Sequence, residues 1–426
     1  MQKIKTKPIY FPAVSNQFSQ TLSKTDKDIM SRSVNIAKNP RFYNKTNNYF
    51  YHPYSLWNAY EHILHEKITD LRKTKKISKD SLVMLDSGGY QLAKGKKENK
   101  KFNPELVLKW SEKNGDIFPI IDYPPWWNEY DKTFEDSIKL SVENGEYYKK
   151  HRNKKLKNRI LNVLQGRDFD EIDEWYDRIK HLKLDGWGIG GVGKNPVLAA
   201  YAIRMLYQKG EFNKKKQTWI HIFGTSDFES MLYFSVIQRE LNKLCNVQIS
   251  YDSATHSHTI KHGKWFEQRA NLSRFLPSSK ESKLDYMNSG LCESIQKFRY
   301  IYLSKYFNYK HVKKDTPVPL PYSPVVELIT DTKQFFNSQW TFALLGNLHN
   351  LWMMLEQKRL FDNLVFFGED KVINQSIGNE LKRNVNVLNL IFSKKEIKKK
   401  YYMKTRNPLE NFNRFDKSTS NFPYDI

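Results

Sequence analysis

Short apolar runs alternate with stretches of helical periodicity over the first two thirds of the chain. Leu82-Val83-Met84-Leu85, Ile117 to Ile121, Ile160 to Leu164, Trp187 to Ile189, Trp219 to Phe223 and Val247 to Ile249 are short and mainly apolar. That is the pattern of strands buried on both faces of a parallel sheet. Between them, Pro104 to Trp110, Phe169 to Ile179, Pro196 to Leu206 and Asp227 to Leu241 repeat apolar positions at helical spacing. The runs recur roughly every 25 to 45 residues, the spacing of βα units feeding a parallel sheet. An earlier run, Ile9 to Val14, predicts the first strand. Helical material follows it, including Leu56 to Leu71 with apolar positions at Ile63, Leu64, Ile68 and Leu71.

At 426 residues the chain has room for a closed α/β barrel, which takes about 250 residues, plus an extension. Thr316 to Pro324, with four prolines in nine residues, predicts a break. A long helix, roughly Asp331 to Leu360, follows, and then a lysine-rich, Asn- and Ser-rich end. The expected division is a barrel over 1–315, a helical extension packed on it over 316–392 and a basic tail over 393–426. Two cysteines, Cys245 and Cys292, exclude a disulfide framework or a cysteine-rich zinc cluster, and Cys245 reads as a small core residue. No apolar stretch approaches the ~20 residues of a membrane span, and the N-terminus lacks an apolar signal segment. A cytoplasmic monomer is expected.

Charge narrows the class of partner. Lys+Arg number 70 against 46 Asp+Glu, a formal net charge of +24, which favours a polyanion and most simply nucleic acid. A lysine-rich surface from an AT-rich genome is the alternative. Basic runs occur at Lys94–Lys101, Lys149–Arg159, Lys214–Lys216, Lys310–Lys314 and Lys394–Lys400. Each alone reads as a solvated loop; Lys94, Lys96 and Lys97 are the candidate phosphate contacts closest to the chemistry. Trp126-Trp127, beside Pro124-Pro125, are candidates for stacking on an unpaired base or, equally, for capping the core.

The strand-like runs end on small polar or glycine clusters, which in such folds lie where active sites are built. Asp86 and Asp252 end two runs and would share a mouth, a pair suited to glycosidic-bond chemistry or to a metal. His256, His258 and His262 keep the metal reading open. Gly88-Gly89 and Gly190-Gly191 would let a planar ligand approach the backbone. Asp122 with Gln165 matches the donor-rich edge of guanine, and Tyr90 and Phe223 would sandwich the ring.

Together these residues resemble the tRNA-guanine transglycosylases. Asp86-Ser87-Gly88-Gly89-Tyr90-Gln91 resembles the signature of that family, and six further segments follow in the family's order. They are Ile120-Ile121-Asp122, Val163-Leu164-Gln165-Gly166, Gly188-Ile189-Gly190-Gly191-Val192, His221-Ile222-Phe223-Gly224, Tyr251-Asp252-Ser253-Ala254 and Leu348-His349-Asn350-Leu351. The resemblance implies a TIM-type (β/α) barrel and a base-exchange enzyme. It makes Asp252 the nucleophile and Asp86 the acid/base. Asp122 and Gln165 become the readers of the guanine edge, Gly191 and Val192 backbone contacts to the base, and Ser87, Tyr90, Gly190, Phe223 and Gly224 the rest of the pocket. The target base would leave its stack to enter.

The departures from the family carry expectations too. Where the family has Cys-x-Cys-x-x-Cys, the chain reads Val318-Pro319-Leu320-Pro321-Tyr322-Ser323, so the zinc subdomain and its structural zinc are expected to be lost, with His349 a core residue. Gly193-Lys194-Asn195-Pro196 offers no carboxylate for an aminomethyl group, which favours 7-cyano-7-deazaguanine as the incoming base. The chain looks most like the 7-deazaguanine DNA transglycosylases of phages and DNA-modification systems, with DNA and the free 7-deazaguanine base as partners. The alternatives are a tRNA transglycosylase, a catalytically silent nucleic-acid-binding subunit of such an enzyme, and an unrelated barrel glycosidase or metal hydrolase.

Overall fold

The computed structural model describes residues 6–15, 18–19, 22, 39–47, 49–93, 102–125, 133–192, 195–212, 216–225, 228–261, 264–267, 299–302, 339–368 and 379–393. Eight strands form one sheet: β1 (Ile9–Pro12), β2 (Tyr54–Asn58), β3 (Leu82–Asp86), β4 (Ile117–Pro119), β5 (Arg159–Leu164), β6 (Gly186–Ile189), β7 (Thr218–Ile222) and β8 (Val247–Ser253). Their order is β1-β8-β7-β6-β5-β4-β3-β2, and every neighbouring pair is parallel. The two end strands also meet. Ala13 bridges Leu56 in parallel, and the Val14 N–H donates to the Leu56 carbonyl at 2.9 Å. The sheet is thereby nearly closed, with helices between the strands: a TIM-type barrel.

The helices are α1 (Leu71–Thr74), α2 (Gly89–Ala93), α3 (Pro104–Asn114), α4 (Phe134–His151), α5 (Phe169–Ile179), α6 (Pro196–Gln208), α7 (Phe228–Leu244) and α8 (Thr255–Lys261), then α9 (Gln339–Phe367) and α10 (Asn379–Ser393). Side-chain caps set several starts. Asn103 and Asn195 each accept from backbone N–H groups ahead of a proline, and Thr133 with Asp136 forms a capping box. The helices α9 and α10 pack on the barrel through α7. Ser235 donates to Asp362 at 2.8 Å and Asn384 to the Tyr233 hydroxyl at 2.9 Å. A further parallel pair joins β9 (Lys264–Glu267) to β10 (Arg299–Tyr302).

Inside the barrel, Phe11, Leu56, Met84, Ile117, Leu161 and Trp219 form an apolar plug, while the outward faces join the helices in a larger core. Side chains alternate along a strand, so the next inward position lies two residues on. After Leu56, Met84 and Trp219 that position holds Asn58, Asp86 and His221. The apolar plug thus gives way to polar groups toward the strand C-termini.

Two sequence expectations need correction. Leu56 to Leu71 is not one helix: Tyr54–Asn58 is β2, a π-helical turn follows at Glu61–His65, and a separate α-helical turn forms at Leu71–Thr74. A five-residue strand buried on both faces has no periodicity of its own, and pairing with β3 decides its conformation. The long helix α9 runs to Phe367 rather than Leu360, and 331–338 lie outside the described residues. Helix α4 went unread because its buried face is largely small or polar, with Ser137, Ser141 and Gly145 beside Ile138 and Tyr148. Cys245 is half-buried just after α7, its thiol pushed up to about 12 by burial, as a small packing residue would be. The proline-rich break, Cys292 and residues 394–426 of the tail lie outside the described residues.

Candidate active site at the barrel mouth

Asp252 lies near the end of β8, and its carboxylate is held from one side. Oδ1 accepts the Gly224 N–H at 2.9 Å and faces His221 Nε2 at 3.2 Å. Gly224 sits at φ +65°, a left-handed turn that glycine adopts without strain and that aims its N–H at the carboxylate. Among the described residues no hydrogen bond falls on Oδ2, so that oxygen is available for chemistry.

Asp86 ends β3, in register with Asn58 of β2. The register puts the Asn58 amide against the carboxylate: Nδ2 donates to Asp86 Oδ2 at 2.6 Å and to Gln91 Oε1 at 3.1 Å. The amide orientation is fixed, because Asn58 Oδ1 accepts the Glu61 N–H at 3.1 Å. Asp86 Oδ1 accepts the Gly88 N–H at 3.3 Å. Burial pushes the Asp86 carboxyl up to about 7, with the charges of Asp252 and Asp122 adding to it and the Gly88 and Asn58 hydrogen bonds opposing. A carboxyl poised there can give and take a proton near neutrality.

Asp122, three residues past β4, is buried beside Gln165, just past β5. Gln165 Nε2 donates to Asp122 Oδ2 at 2.6 Å, and the Ser87 hydroxyl reaches Oδ1 at 3.4 Å. Burial pushes Asp122 up to about 6 against those two hydrogen bonds. With the amide nitrogen committed to Asp122, Gln165 Oε1 is a buried acceptor without a partner among the described residues. An unmet buried acceptor beside a carboxylate costs free energy until a donor arrives.

The glycines also serve the packing of the site itself. A side chain at Gly88 would strike Tyr60, one at Gly89 the Asp122 backbone, and one at Gly190 the Gln165 amide. Glycine is needed at these positions so that the pocket's own residues pack closely. Gly188 similarly admits the Phe223 ring, which lies edge-on to His221 at 4.6 Å. Gly191 has φ +69°, Val192 is buried and Tyr90 is half-buried on α2.

Trp126, Trp127, Lys94, Lys96, Lys97 and His262 lie outside the described residues. Lys149–Arg159 and Lys216 do not reach the mouth: the first leads into β5 and the second into β7, at the opposite end of the barrel. There Arg152 pairs with Asp185 at 2.7 Å and Lys216 with the same carboxylate at 3.7 Å. His256 and His258, two apart on α8, point in different directions. His256 is fully buried beside Phe18, and burial, reinforced by His258, pushes it down to about 3. No group of three His, Cys, Asp or Glu suited to a metal occurs among the described residues. His349 is buried on α9, one residue before Asn350, which donates to the His256 carbonyl at 3.4 Å, and residues 318–323, where the family has its cysteines, lie outside the described residues. No helix among the described residues is long and apolar enough to cross a membrane.

The structure therefore brings together Asp86, Ser87, Asp122 and Gln165 on one side and Phe223, Gly224 and Asp252 on the other, with the Asp252 charge felt at Asp86. Two site residues escaped the sequence reading: Asn58, hidden in the misassigned strand, and His221, embedded in an apolar run. Neither a family model nor a curated protein matches the chain.

Proposed function

We propose that the chain is a DNA guanine transglycosylase, exchanging guanine for a 7-deazaguanine base through a covalent aspartyl-sugar intermediate. The observation that carries this reading is the acceptor pair of Asp122 and the partnerless Gln165 Oε1. Side-by-side buried acceptors call for adjacent donors, and the N1–H and N2–H₂ of guanine supply them. Asp252 Oδ2 then attacks the anomeric carbon. The bond to the base nitrogen breaks, its electron pair leaves with guanine, and Asp86 supplies the proton. The incoming base gives its own proton to Asp86, attacks the same carbon and expels the carboxylate, so two inversions give retention. A value of about 7 for Asp86 suits both proton transfers.

The nitrile-bearing base is favoured over an aminomethyl one. Asn195 Oδ1 is already taken by the Val197 and Leu198 N–H groups, which leaves no acceptor free on that side chain for an amine. A net charge of +24 supports a polyanionic substrate. The test is release of radiolabelled guanine from a deoxy-oligonucleotide, and in parallel from tRNA, on addition of 7-cyano-7-deazaguanine. Exchange on DNA alone is expected. Exchange on tRNA alone would replace the polymer, and none on either would refute base exchange.

A further inference from the structure

Asp252 is one end of a hydrogen-bonded chain running into the barrel. His221 Nε2 faces Asp252 Oδ1 at 3.2 Å, His221 Nδ1 lies 2.8 Å from Ser250 Oγ, and Trp219 Nε1 donates to Ser250 Oγ at 2.7 Å. All four residues are on inward positions of β7 and β8, where His221 and Ser250 are register partners. Both are fully buried, and Phe11 and Phe223 meet the imidazole edge-on at 6.0 and 4.6 Å.

The direction of this chain follows from donor counting. An indole N–H only donates, so Trp219 occupies one lone pair of Ser250. Ser250 has a single proton and two acceptors in reach, His221 Nδ1 at 2.8 Å and the Ile220 carbonyl at 3.2 Å. Given to Nδ1, the proton leaves the ring's own hydrogen on Nε2, aimed at the carboxylate. Given to Ile220, it would require hydrogen on Nδ1, and a neutral ring would then turn a lone pair on Asp252. For a neutral ring only the first arrangement satisfies every group in the chain, and a ring charged on both nitrogens would show two pyrrole-type signals instead.

We propose that His221 is a positioning residue, held as the Nε2–H tautomer by Ser250 and Trp219 so that it pins Oδ1 of Asp252 and presents Oδ2 for attack. The kinetic consequence rests on the base-exchange reading; the tautomer does not. The full chain labelled with ¹⁵N-histidine gives the first readout, with the His221 signals assigned by their loss in His221→Gln. A pyrrole-type Nε2 and a pyridine-type Nδ1 are expected, and Ser250→Ala should erase the preference. The second readout is guanine release. His221→Gln places an amide N–H near the Nε2 position and should stay within a few-fold of the parent. His221→Asn places it near Nδ1 and should lower kcat by about 10- to 100-fold with KM little changed, the loss of one hydrogen bond to a charged group. A pyridine-type Nε2 in the parent, or equal activity of the Gln and Asn variants, overturns the proposal. If the parent releases no guanine, base exchange fails and the tautomer signal alone decides. If Ser250→Ala does not fold, the parent's tautomer and the Gln/Asn pair remain decisive.

Discussion

Replacing Asn58 by alanine removes the shorter of the two hydrogen bonds on Asp86, the 2.6 Å contact to Oδ2, and leaves the 3.3 Å contact from Gly88. A hydrogen bond to a charged group contributes roughly 1.5–3 kcal/mol, and each pKa unit is about 1.4 kcal/mol. The Asp86 carboxyl, already at about 7, should therefore rise by a further one to two units. At pH 7 the ionised fraction falls from about half to roughly 1–10 %, since the change is one to two decades. Asp86 acts as an acid in the first half of the proposed exchange and as a base in the second, so the halves respond differently. Single-turnover guanine release should persist at pH 7. Turnover with an incoming base should fall by about 5- to 50-fold, recover as pH rises, and leave the covalent adduct to accumulate, all from the same shift. Asn58→Asp keeps an acceptor for the Glu61 N–H but sets a carboxylate against Asp86, and should move the limb further the same way. The assay is the pH profile of guanine release and of base incorporation, measured separately. An unmoved alkaline limb in both variants, or equal loss in both half-reactions, would refute the assignment of Asp86 as the shared acid and base.

Other expectations test the remaining residues. Asp252→Ala should lower exchange by about 10,000-fold or more, and Asp252→Asn should give no covalent adduct on denaturing gels, because among the described residues no other carboxylate takes the place of its Oδ2. Asp122→Ala should raise KM for the free base by about 10- to 150-fold and blunt discrimination of guanine from adenine, with melting little changed; intact discrimination would move that role elsewhere. Asp86→Asn should abolish turnover yet stabilise the fold, and do so increasingly from pH 5 to pH 8. The folded carboxyl at about 7 lies above its ordinary 3.8, so the folded chain keeps a proton the unfolded chain loses, and stability drains away as pH rises through that window. Equal melting gains at pH 5 and pH 8 would contradict the raised value.

What the sequence revealed, and what it hid, follows from whether a feature is local. Seven strands were readable because each is a short run buried on both faces. Asp86, Asp122, Gln165 and Asp252 were readable because each breaks such a run at its end. Barrel closure requires an eighth strand, and the long interval between Pro12 and Leu82 was the place for it. Tyr54-Ser55-Leu56-Trp57-Asn58 carried the aromatic signal, but the helical spacing just downstream masked it, and Asn58 was lost with it. His221 failed for the opposite reason. In Trp219-Ile220-His221-Ile222-Phe223 it continues an apolar run, as a core histidine would, and its meaning depends on the register that sets it beside Ser250. The packing role of the glycines was hidden for the same cause, since what fills the space beside Gly89 and Gly190 comes from Asp122 and Gln165, on other strands' loops. A polar residue that ends its own strand is visible in one dimension. A polar residue whose partner stands on the next strand becomes visible only once the strands are aligned, which is why the two residues missed are those that orient Asp86 and Asp252 rather than the carboxylates themselves.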